Sequence, residues 1–280
     1  MKKVLIWVSL GLMFLGVALF CCVGVSIDFD FARLDNMKYI TNTHTIYDDF
    51  TCVVLNSVTA EIEFKPSEDG YCRVVCYEQE NACHDVSVTN GVLEIAWMDS
   101  RNWMDHISVF SFHTPTITIY LPEGNYQSLK VYNSTGDINI EGEWQIDEVS
   151  LKTSTGDVYA KGLYCSKDVS VNVTTGDVKL ENINCKNLTL EGSTGKTELD
   201  FVIANEALRV NRTTGDIMLY CCDGDGIFMK TTTGNVTGTL RSSMVISAHS
   251  TTGRVDVPHC TSGGHCEIET TTGDICIEIN

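Results

Sequence analysis

The chain is poor in basic residues: 19 lysines and arginines stand against 37 aspartates and glutamates in 280 residues, a formal net charge of -18. The imbalance is spread along the chain, with 4 basic against 13 acidic residues over 36–128 and 12 against 21 over 129–280. Phosphate binding needs a basic patch, and none appears, so nucleic acid is excluded as a partner. An anionic membrane surface would repel the same residues.

Three other things are lacking. Beyond residue 27 no segment carries a helical period of useful length. No good Ala-x-Ala-like cleavage site follows the N-terminal apolar run, and Phe20 before Cys21 is too large for a lipoprotein processing site. The 13 cysteines do not have the spacing of a compact stapled module; Cys21 and Cys22 lie in the apolar run, and the remaining eleven are an odd number.

What is present begins with that run. Lys2 and Lys3 precede an uncharged stretch from Val4 to Ile27, long enough to cross a bilayer as a helix. We read it as an uncleaved signal anchor, with a cleaved signal as the alternative; the lysines are then retained in the cytoplasm and everything after Ile27 lies outside. Residues 28–45 lose periodicity and read as a tether. Strand-like alternation follows, with Cys72, Val74 and Cys76 on one side of a strand, and Asn90-Gly91 marks a tight hairpin. Residues 98–114 read as an irregular excursion. Pro115 and Pro122 then bracket a strand suited to an edge or a first rung.

From there one phrase recurs. Ser/Thr-Thr-Gly-Asp, or a close variant, places glycines at Gly136, Gly156, Gly176, Gly195, Gly215, Gly234, Gly253 and Gly273, spaced 19 or 20 residues apart. Counting from each glycine, positions -7, -5, +2 and +4 are apolar or cysteine in all of 32 places except Thr197 and Gly238. Alternate apolar positions on both sides of a turn mean two short strands with one inward face each. Such a coil buries its inward face only by stacking on its neighbours.

The expected fold is therefore all-β. It is a single-stranded parallel β-solenoid of about eight 19–20-residue coils, with an N-terminal strand-rich cap and one N-terminal transmembrane helix. The expected boundaries are 1–27 for the anchor, 28–45 for the tether, 46–122 for the cap and first rungs, and 123–280 for the repeats. Eight coils at ~4.8 Å make a rod of roughly 40 Å. Each glycine is assigned a structural turn, needing positive φ or close approach to the next coil, with the flanking Ser/Thr and Asp bonding locally.

The recurrent unit, the N-terminal apolar segment and the Ile119-to-Pro122 strand resemble a bacterial domain-of-unknown-function family labelled putative adhesins. The resemblance covers about residues 45–280. It implies a β-solenoid displayed outside the cytoplasmic membrane near cell-envelope functions, and it supplies no catalytic residues to carry over.

Candidate chemistry is sparse. Stacked Asp137, Asp157 and Asp177 could offer hard oxygen ligands to calcium, but Lys196, Asn235 and Arg254 interrupt the acidic series. His259-Cys260 and His265-Cys266 suggest a metal quartet, yet Cys266 occupies an inward position and adjacent strand residues face opposite ways. His44, His84, His106, His113 and His249 have no phased partner. Five Asn-x-Ser/Thr triplets, at Asn133, Asn172, Asn187, Asn211 and Asn235, arise from the repeat and carry little weight. No catalytic, cofactor or metal residues are assigned.

Cys165 and Cys185 occupy equivalent places in adjacent repeats, within bridging range, and form the one disulfide to test. The chain ends straight after Ile275, Ile277 and Ile279, so its last rung is expected to be uncapped and to template self-association or partner docking. The function expected is a membrane-anchored, non-catalytic interaction module of the bacterial envelope, binding an envelope protein or cell-wall component. The alternatives are a sensor of envelope stress and, behind it, a carbohydrate-active enzyme.

Overall fold

The computed structural model describes residues 2–26, 28–29, 38–100 and 113–280. Helix α1 (Lys2–Ser26) contains a 21-residue stretch, Ile6–Ser26, of mean hydropathy 2.5, long and apolar enough to cross a membrane. The end of the expected tether is less free than the sequence suggests. Strand β1 (Tyr39–Ile46) occupies the end of the expected tether and pairs antiparallel with β4 (Cys72–Gln79), Asn42 opposite Cys76.

The body is the expected stack of parallel coils. Beyond β1 the chain lays down β2 (Cys52–Asn56) and β3 (Glu61–Pro66), then β4, β5 (Ala82–Thr89), β6 (Val92–Asp99), β7 (Thr116–Leu121), β8 (Asn125–Thr135) and β9 (Ile138–Thr155). The pair β2/β3 is itself a coil, parallel to β8/β9 on one side and to β6/β7 on the other. β4 and β5 then cover β7 and β6 antiparallel, so the N-terminal end closes with a change of strand direction. Asn90 and Gly91, at φ 52° and 77°, make the tight turn between β5 and β6. Most of the expected irregular excursion, including Trp103 and His106, lies outside the described residues.

The corner glycines adopt φ between 120° and 155°. A Cβ on Gly195 would fall 2.0 Å from the carbonyl oxygen of Gly176, and the same approach recurs at the other corners. The aspartates act differently from the local bond expected. Asp157 Oδ1 accepts from the amide of Asp177 in the next coil at 2.7 Å, and Asp177 Oδ1 accepts from Lys196 N at 2.7 Å. Carboxylates therefore link coils.

This explains the three departures from Asp. Asn235 keeps an acceptor and takes the Asp274 amide at 2.8 Å. Lysine has no acceptor to offer, so the ladder breaks at Lys196, whose ammonium turns instead to Glu198. Arg254 lies on the outermost coil, where no later amide needs capping. Asp177→Ala should cost about 1 kcal/mol in urea unfolding, for loss of one hydrogen bond to an ionised acceptor, whereas Lys196→Asn should cost nothing measurable.

The last rung corrects an expectation. Strand Gly264–Thr272 pairs with Ile217–Thr233 on one side and Met244–Thr252 on the other, and Ile275–Ile279 pairs with Val236–Leu240 and Val255–Asp256. The coil of Gly273 is thus inserted between those of Gly234 and Gly253. The final rung has partners on both edges, and the Asn280 amide reaches Leu240 O at 3.0 Å.

Among the described residues, the free edge belongs to the Gly253 coil. Its inward Ile246 and Ala248 are half-buried and Val255 is 40% exposed, while Ile268 and Ile275 are fully buried. Self-association through the C-terminal rung, as expected from sequence, has no unpaired rung to use.

Candidate functional site

Outward positions along one sheet are set by the same register that buries the core. Positions -6 and -4 of four stacked coils bring together Thr189/Glu191, Arg209/Asn211, Phe228/Lys230 and Glu267/Glu269. They line an open groove of ≈ 420 Å³. The Arg209 guanidinium lies over the Phe228 ring at 4.0 Å, and the ring meets His265 edge-on at 6.1 Å. A planar cation stacked on an aromatic face is worth about 0.5–1 kcal/mol when exposed and presents its edge donors outward.

Lys230 Nζ donates to Glu269 Oε2 at 2.7 Å, which raises the lysine's pKa and lowers the glutamate's. Both groups are largely solvated, so the pair adds little stability. Chemically the groove offers an apolar plate, hydrogen-bond donors and a carboxylate rim. That suits binding.

A second cluster sits inside the N-terminal cap, and sequence reading missed it. Glu78 on β4 and His84 on β5 are 1% and 4% exposed. His84 Nδ1 lies 2.8 Å from Glu78 Oε2, which also accepts the His84 amide at 2.8 Å. The Asn42 amide donates to Glu78 Oε1 at 3.0 Å, and His84 Nε2 lies 3.1 Å from the buried Ser57 hydroxyl. Period could not reveal the cluster, because its members come from β1, β4, β5 and the turn after β2, outside the eight phased glycine coils. The one available signal was Glu78 following Cys72, Val74 and Cys76 in the inward phase of β4.

The remaining predicted residues are dispersed or structural. Cys165 and Cys185 occupy adjacent coils, with the Cys165 amide donating to Asn184 O; both thiols are free and buried, and burial pushes each up to about 12. Cys266 is buried, whereas His259 and His265 are exposed, so the suspected quartet does not converge.

A family model, Toastrack DUF4097, matches residues 50–278. The chain belongs to the Toastrack DUF4097 family. Among solved structures, a putative adhesin from Bacteroides fragilis is 15% identical with a TM-score of 0.44, covering 86% of this chain and 97% of its own. A putative lipid binding protein from Parabacteroides distasonis is also 15% identical, at TM-score 0.45, covering 85% and 97%. A putative cell adhesion protein from Clostridium sporogenes is 16% identical, at TM-score 0.30, covering 87% and 100%. No curated protein matches the chain. Toastrack membership agrees with the resemblance carried by the repeat, and the parallel coils are the architecture expected from it.

Proposed function

We propose that this Toastrack protein is a membrane-anchored, extracytoplasmic interaction module whose binding face is the groove around Arg209 and Phe228. The observation that carries the reading is the groove itself: eight side chains from four coils form one surface with an aromatic-guanidinium stack and a carboxylate rim. The long apolar α1 supports anchoring, and the acid excess favours a protein or neutral wall component over an anionic surface.

The test has two arms. Residues such as Tyr47 and Tyr71, both exposed, should be replaceable by cysteine and labelled in intact cells by an impermeant maleimide, with α1 retained. Full-length protein captured from crosslinked membranes should recover a partner that an Arg209→Ala/Phe228→Ala variant loses. Labelling only after lysis would refute the topology, and equal recovery by both proteins would refute the groove.

A partner that is itself a membrane sensor or transporter would favour the regulatory alternative, and wall glycan alone would sink it. In an oxidising extracytoplasmic space Cys165 and Cys185, free in this structure, would form the bridge expected from their spacing. Peptide mapping of the same preparation without reduction should find the linked pair, and two free thiols there would remove it.

A further inference from the structure

The cap cluster extends beyond the hydrogen bonds already described. Cys76, on the inward face of β4 two residues from Glu78, brings its sulfur into the same space. One ligand atom each from Cys76, Glu78 and His84 lies within 4.8 Å of the other two, and all three residues are buried. We propose that Cys76, Glu78 and His84 form a site for one Zn²⁺-class transition-metal ion, built into the cap and unrelated to the groove.

Three physical arguments carry it. The first is the donor set. Thiolate, imidazole and carboxylate are the ligands of tetrahedral zinc, and bonds of about 2.0–2.3 Å put ligand atoms roughly 3.3–3.7 Å apart. The present triangle has no side longer than 4.8 Å, within about 1.5 Å of that size. Nδ1 and Oε2, at 2.8 Å, need to separate by only about half an ångström.

The second is charge. Among the described residues Glu78 has His84 as its only ion-pair partner, and its other donors are the neutral Asn42 amide and a backbone amide. A divalent ion with one thiolate and one carboxylate is a neutral buried unit, so it leaves no net charge inside the cap. On binding, the metal must displace the Cys76 thiol proton.

The third is the outer layer. Metal-bound histidine characteristically hands its other ring N–H to an acceptor, and ligating carboxylates are themselves hydrogen-bonded. Ser57 beside Nε2 and Asn42 on Oε1 occupy those two positions. On binding, the imidazole's single proton resides on Nε2, donating to Ser57 Oγ, while Nδ1 takes the metal.

A Ser57–His84–Glu78 nucleophilic relay would use three of the same residues, but it gives Cys76 no role. It also requires room for an acyl donor beside a serine that is 8% exposed. A metal enters as the cap folds and needs no channel.

The experiment uses full-length protein in detergent. Elemental analysis should find one zinc per chain after metal-limited expression and reconstitution, and Co²⁺ should produce a thiolate-to-cobalt charge-transfer band in the near ultraviolet. Cys76→Ser should abolish that band. Because this variant could lose its fold, Asn42→Ala and Ser57→Ala, which keep every ligand, should bind Co²⁺ about 10–100-fold more weakly. Absence of stoichiometric metal together with absence of the band overturns the proposal. So does a band that survives Cys76→Ser, or covalent labelling of Ser57 by a fluorophosphonate in the protein as purified.

Discussion

Gly195→Ala is expected to destabilise the solenoid by about 2–6 kcal/mol, from left-region strain of about 1–3 kcal/mol and overpacking of similar size. Gly195 sits at φ 133°, a conformation open to glycine and strained for L-residues. An alanine Cβ there would lie 2.0 Å from Gly176 O and 2.5 Å from its carbonyl carbon, both backbone atoms. No side chain can swing aside, so the two coils must separate at the corner. That separation stretches the inter-coil bond from Gly176 N to Thr194 O.

Urea unfolding of wild type and variant measures the difference. Gly124→Ala is the control: it has no positive φ and nothing within 4 Å of the added carbon, and should lie within about 0.5 kcal/mol of wild type. Equal effects at the two sites would show that the corner tolerates a side chain.

The second large effect centres on Arg212, a guanidinium 2% exposed inside the stack. Its Nε donates to Thr197 Oγ1 at 2.9 Å, and its other nitrogens reach Val173 O at 3.4 Å and Lys196 O at 3.5 Å. Burial lowers its pKa, with the charge of Asp177 partly offsetting the shift. The residue stands three before the corner glycine, where other coils place a small donor: Thr231 Oγ1 caps Gly215 O at 3.1 Å and Thr270 Oγ1 caps Gly234 O at 3.0 Å. Val173 and Gly192 occupy that place in two coils and have no such donor, and the arginine reaches across the gap. Gly192 makes the room, since a Cβ there would meet Arg212 Nη1 at 2.1 Å.

Thr197→Val should therefore cost about 2–3 kcal/mol, because it strands a charged N–H in the core. The double variant Arg212→Met/Thr197→Val should recover most of that loss, since a buried polar set is often replaceable by apolar residues of similar size. The expected coupling is at least about 1 kcal/mol in a double-mutant cycle. Simple additivity would mean that the bond from Arg212 to Thr197 contributes nothing.

Both effects bear on how far the sequence could be read. Thr197 and Gly238 were the two exceptions to the inward pattern, and neither is a defect. Thr197 is the acceptor for Arg212. Gly238, at φ 139°, lets the chain pass Leu219, whose carbonyl oxygen would lie 1.9 Å from a Cβ. A second corner was harder to see: Gly142, Gly162, Asn182, Phe201 and Cys221 all take positive φ six residues after their glycines. Glycine stands there in only two coils, so no full period marks it. The cap cluster was hidden for a related reason, since burial of Glu78 and His84 depends on strands from distant parts of the chain meeting.

The sequence by itself determined the unit: its length, its inward positions and its glycine corners, because each follows from strand alternation and from steric limits that act within a coil or between identical neighbours. Tertiary structure decided the order of stacking. All coils present similar edges, so the repeat specifies how a coil folds and leaves open which coil lies beside which.

The Gly253 coil, with a second strand of two residues and a corner arginine that needs no following amide, loses least by standing outermost, and the final coil fills the place beneath it. That insertion puts Glu267 and Glu269 beside Phe228 and Lys230, where sequence order would have put Ser247 and His249. The carboxylate rim of the groove exists only because the last two coils are stacked out of order.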